Sequence, residues 1–88
     1  MEYQEYYLSY SGVGLPLKMV GQLEKKELNN RNTFFGVCLD EVGRIHRVQK
    51  IVYGEVELDH LYGYSDKGKL IMAEVTGQDG KLIKLSFG

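Results

Sequence analysis

The chain has 88 residues, 43% of them hydrophobic and 26% charged, with a net charge of −1 at neutral pH. That length fits one small domain, and that composition does not fit disorder. Eleven basic against twelve acidic residues argue against a general nucleic-acid binder, whose affinity rests on Lys and Arg neutralising phosphate.

Tyr3 to Tyr10 is rich in aromatics and reads as a strand, with Tyr6, Leu8 and Tyr10 on one face and Tyr7 and Ser9 on the other. Leu15 to Val20 alternates, with Leu15, Leu17 and Met19 on one side. Pro16 has no amide donor, so this segment is expected to be an edge strand or an extended arm. Gly21 to Asn30 holds the one stretch of good helix formers, with Val20, Leu23 and Leu28 as a sparse apolar stripe. So short a helix needs docking on a sheet. Thr33 to Asp40 is apolar on both faces, which predicts a central strand covered twice. Strands are then expected at Arg44–Val52, Glu55–Tyr64, Lys69–Thr76 and Lys81–Phe87.

Turn signals separate these last strands. In Asp40-Glu41-Val42-Gly43-Arg44-Ile45 and Ser65-Asp66-Lys67-Gly68-Lys69-Leu70, a short polar side chain stands three residues before a Gly. That is the signature of a type I turn closed by a left-handed glycine. Gln78-Asp79-Gly80-Lys81-Leu82 ends instead in Asp-Gly, the two-residue hairpin signal. With Tyr53-Gly54 as a two-residue loop, Ile51 faces Val56, Lys50 faces Glu57, Arg47 faces His60 and Ile45 faces Tyr62. Apolar then meets apolar, and a charge meets its opposite. The fold class expected is mainly β: an antiparallel meander of six or seven strands, curved as a half-barrel or small sandwich, with one short α-helix.

The stretch Tyr62–Leu70 followed by Asp79-Gly80-Lys81-Leu82 resembles the hairpin unit of YD or Rhs-type repeats. Tyr7-Leu8-Ser9-Tyr10-Ser11-Gly12, Leu15-Pro16-Leu17-Lys18, Asn30-Arg31-Asn32-Thr33 and Val52–Leu58 resemble a family of small uncharacterised bacterial proteins, a domain of unknown function. The resemblance implies a bacterial, phage or mobile-element origin and brings no activity with it.

The lone Cys38 and the two histidines, His46 and His60, cannot form a zinc set at these spacings. Cys38 lies among Phe and Leu, where a free thiol behaves as a small hydrophobe. No catalytic residue, cofactor or metal is expected. Glu55, Glu57 and Asp59 share one strand face, about 7 Å between neighbours. They form a secondary acidic surface, weighed as a solvated face against a cation or acid–base site. Asn29 to Thr33 is the most site-like loop. Arg and Tyr dominate binding hot spots, so the expected binding residues are Asn30, Arg31, Asn32, Tyr7 and Tyr10.

The Met1–Glu5 run is polar and unlike a signal peptide, and no apolar run is long enough to cross a bilayer. A small domain without disulfides fits a reducing cytosol, so a cytoplasmic location is expected. Phe34 and Cys38 oppose Phe35, Val37 and Leu39 on one strand. One short helix cannot cover the second apolar face, so a homodimer is expected. The function expected is a small non-catalytic protein-interaction module that docks on a partner protein, with a small-ligand or nucleotide-binding β-cup as the alternative.

Overall fold

A computed structural model describes residues 2–87. Seven strands form one antiparallel sheet: β1 (Glu5–Ser11), β2 (Lys18–Leu23), β3 (Thr33–Leu39), β4 (Ile45–Val52), β5 (Glu55–Tyr64), β6 (Leu70–Thr76) and β7 (Leu82–Ser86). The order across the sheet is β2-β1-β3-β4-β5-β6-β7, and the sheet does not close into a barrel. The expected meander is therefore β3 to β7. The β1–β2 hairpin joins it through three β1–β3 pairs, Glu5 with Val37, Tyr6 with Gly36 and Tyr7 with Phe35.

The three turn copies share one length. Leu39 pairs with Ile45, Tyr64 with Leu70 and Thr76 with Leu82, so five residues connect each pair of strands. In each, a glycine amide closes back on a carbonyl three residues earlier: Gly43 on Asp40, Gly68 on Ser65 and Gly80 on Gly77. Gly80 is thus part of a longer turn rather than a two-residue hairpin. The Asp40 carboxylate accepts from the amides of Val42 and Arg44 at 3.0 and 2.8 Å, and Ser65 Oγ accepts from Lys67 and Lys69. Gly43 and Gly68 stand at φ +88° and +81° with no protein atom close enough to clash with a Cβ. Substituting Val at either should cost about 1–3 kcal/mol through backbone strain alone. Urea unfolding of Gly43→Val and Gly68→Val measures it, and a loss of only a few tenths would contradict the turn assignment.

The β4–β5 hairpin turns at Tyr53-Gly54 as expected, and Ile51 faces Val56. Beyond that pair the expected register is corrected. A bulge inserts Glu57, so Lys50 faces Leu58, Val48 faces His60 and Arg47 faces Leu61. The reason is periodic. Val48 and Ile51 are three apart and lie on opposite faces of β4, whereas Val56 and His60 are four apart and would share one face of an unbroken β5, so one extra residue in β5 is needed for both pairs to match. The shift puts Val48 in the buried layer with Tyr62.

That layer consists of Leu17, Phe35, Val37, Val48, Tyr62 and Ala73. Leu17 is not on the sheet. It belongs to the connection between β1 and β2, which packs Leu15 and Leu17 against the core as an arm, with Met19 of β2 beside them. The expected α-helix is replaced. Residues 21–23 extend β2, where Leu23 is buried opposite Tyr6, and a 3-10 helix follows at Lys25–Asn30. Leu23 and Leu28 are five apart, too far round a helix to share a face. The 3-10 helix buries none of its residues, so the arm, not a helix, covers the core face of the sheet.

The other face of β3 is covered by the chain's own N-terminal segment. Tyr3 lies over Gly36, and Tyr6 meets Tyr3 and Phe34 edge-on at ring separations of 6.0 and 5.9 Å. Phe34 and Cys38 are consequently half-buried. The second apolar face that motivated self-association is already occupied.

Candidate functional site

The Asn30-Arg31-Asn32 loop enters β3 from the 3-10 helix, whose last turn closes through the Arg31 amide on the Leu28 carbonyl at 3.0 Å. All three residues are exposed. Arg31 makes no ion pair among the described residues. With Glu27 and Thr33 the three line a shallow depression.

The loop is tied to a residue that the sequence reading passed over. The Tyr53 amide donates to the Asn32 carbonyl at 2.7 Å, and Asn32 Nδ2 donates to Tyr53 Oη at 3.3 Å. Tyr53 is 76% exposed and stands at φ +48°, alone among the described non-glycine residues in the left-handed region. A two-residue turn of this kind needs positive φ at both positions, and Asn or Asp usually fills the first. A tyrosine there was the signal available in the sequence. Strained residues of this kind cluster at functional positions.

The two expected tyrosines part company. Tyr7 is half-buried against the core and its hydroxyl donates to Glu5 at 2.8 Å, so it is largely structural. Burial and the Glu5 carboxylate both push its pKa up. Tyr10 stays exposed, its ring edge-on to Phe35 at 5.7 Å. Phe35 is three strand positions past Asn32, about 10 Å along β3.

The acidic stripe separates too. Glu55 is exposed, but Asp59 is gripped by Arg47, whose Nε donates to Oδ1 at 2.9 Å while Nη2 donates to Oδ2. The Arg47 hydrogen bonds hold the Asp59 carboxyl below its usual range against the opposing effect of burial. Arg47 therefore serves Asp59, not His60 as expected. Tyr3 donates to Gln49, which is buried beside this pair. Burial pushes the Cys38 thiol up, away from a reactive thiolate.

His60 is buried, and its pKa is lowered by that burial. Its Nδ1 lies 2.7 Å from Tyr62 Oη, and the Leu17 amide donates to the same oxygen at 3.1 Å. Tyr62 is 1% exposed and its pKa is pushed up to about 12 by burial, so the phenol keeps its proton. With its oxygen already accepting from Leu17, the phenol gives that proton to Nδ1. This assigns His60 as the neutral Nε2–H tautomer. The chain Leu17–Tyr62–His60 latches the arm to the sheet. Among the described residues no three His, Cys, Asp or Glu gather in metal-binding geometry, and no helix is long and apolar enough to cross a membrane.

An open antiparallel sheet with a latched arm, and an exposed Asn30-Arg31-Asn32 loop tied to Tyr53 through Asn32, defines the architecture. The chain matches a family of unknown function (DUF6156) over residues 1–88 and belongs to that family. No curated protein and no solved structure matches it.

Proposed function

We propose that this protein is a small non-catalytic interaction module that docks on a partner protein, of the inhibitor, immunity or anti-defence type. We propose a bacterial or phage origin, a cytoplasmic location and action as a homodimer. The observation that carries the docking reading is the ledge formed by Asn30, Arg31, Asn32 and Tyr53. An aromatic ring is held out in solvent by backbone and side-chain bonds to Asn32, and Arg31, the residue before Asn32 in the chain, has no ion pair among the described residues. A pre-ordered Tyr loses little entropy on binding, and Arg offers a planar fork to a partner carboxylate. The cup reading is less well supported, because Leu15, Leu17 and Met19 pack on the core face of the sheet that a ligand would need.

Arg31→Ala and Tyr53→Ala should each abolish capture of a partner that the unaltered chain retains from bacterial lysate. Arg31→Ala should change unfolding free energy by less than ~1 kcal/mol. Retention of the same partner by both variants would remove the ledge from the reading.

A further inference from the structure

We propose that β7 is a self-pairing edge, and that two copies of the chain join there, antiparallel about a two-fold axis, into one continuous fourteen-stranded sheet. This gives the homodimer of the preceding section its surface. It is separate from the Arg31 ledge, so its failure would leave the docking reading standing.

Every residue of β7 is exposed, and β7 closes one end of the sheet. Leu82 and Ile83 are 52% and 57% exposed, and Leu85 and Phe87 are also open to solvent. Natural edges are usually blunted by charge, proline or a bulge. This one carries a single charge, Lys84, and Glu74 stands directly opposite it on β6. The other edge of the sheet, β2, is interrupted by Gly21 at φ +74°. A β7-to-β2 contact would build an open filament, whereas β7-to-β7 closes.

The backbone sets the register. The Phe87 amide donates to the Ile71 carbonyl, toward β6. By alternation the amides of Ile83 and Leu85 also point to β6, and those of Leu82, Lys84 and Ser86 point outward. Outward groups must exchange the new bonds, so the pairing can centre on Ile83, Lys84 or Leu85; centring on Ile83 would set Leu85 against Lys81 in the turn before β7, whereas Phe87 continues the ladder beyond Leu85, which leaves two registers. One sets Lys84 against Lys84 of the second copy, like charge on like charge. The other sets Leu85 against Leu85 and Lys84 against Ser86, with Ile83 facing position 87. Like charges directly opposite are destabilising, so the pairing centres on Leu85. It then carries about four backbone hydrogen bonds, two from each Lys84–Ser86 pair. It also aligns Ile83 and Leu85 of both copies on the face that bears Val75 and Ala73.

Sedimentation velocity on the full chain should show a concentration-dependent dimer. Lys84→Pro removes an outward amide and the charge opposite Glu74 but no β6–β7 backbone hydrogen bond, and should weaken self-association at least tenfold. Cysteine pairing checks the register in a Cys38→Ser background. Residues facing each other at a non-hydrogen-bonded pair lie within disulfide reach, so Leu85→Cys should cross-link rapidly under mild oxidation and Lys84→Cys slowly. A monomer at all concentrations, or a dimer undiminished by Lys84→Pro, would overturn the proposal. Faster cross-linking through position 84 would overturn the register. Cross-linking of Leu85→Cys remains decisive should the proline variant fail to fold.

Discussion

Tyr62→Phe should destabilise the protein by about 2–4 kcal/mol, although it removes a single oxygen. That oxygen accepts from the Leu17 amide and its proton goes to His60 Nδ1. Both partners are buried, and a buried amide left unsatisfied costs about 1–3 kcal/mol by itself. The ring is kept, so packing changes little and the loss reports the latch. Urea unfolding gives the magnitude, and amide exchange at Leu17 should quicken more than exchange in β4. A loss below half a kcal/mol, with Leu17 still protected, would show that the arm is held by packing alone.

The same latch fixes a pH dependence. A histidine titrates near 6.5 when unfolded, and burial depresses the value for His60 in the folded chain. The unfolded state therefore binds more protons, and stability rises with pH. His60's contribution is fully present above about 6.5 and is lost as pH falls through its lower folded value. Asp59 and Asp40 are also held low, but their contributions are lost only in the carboxylate range, near 4 and below. A decline starting near pH 6 is thus the signature of His60, and His60→Gln should flatten it.

Gly36→Ala should cost about 1–3 kcal/mol as overpacking. Gly36 needs no left-handed backbone, so conformational strain is not the cause. A Cβ there would stand 2.5–2.7 Å from three ring carbons of Tyr3. Tyr3 would have to lift, giving up its bond to Gln49 and its edge contact with Tyr6. A double-mutant cycle isolates the effect: in a Tyr3→Ala background, Gly36→Ala should be close to neutral. An undiminished cost in that background would show that some other neighbour resists the methyl group.

The repeated turns, the strand count and the arm around Pro16 were legible in the sequence, because each depends on local chemistry. Asp40 and Ser65 cap amides within four residues, and Gly43 and Gly68 answer to φ alone. Other features were settled only by tertiary structure. Gly21 to Leu23 opens the stretch read as a helix but joins β2, because Leu23 is buried opposite Tyr6 there. The Glu57 bulge arises because the sheet's buried layer needs Val48, and local pairing of Lys50 with Glu57 is too weak to resist. The latch joins residues 45 positions apart, and Asn32 meets Tyr53 across 21. No local pattern encodes such meetings. They follow from which strands become neighbours, and that choice is made by burying Val37, Val48 and Tyr62 together.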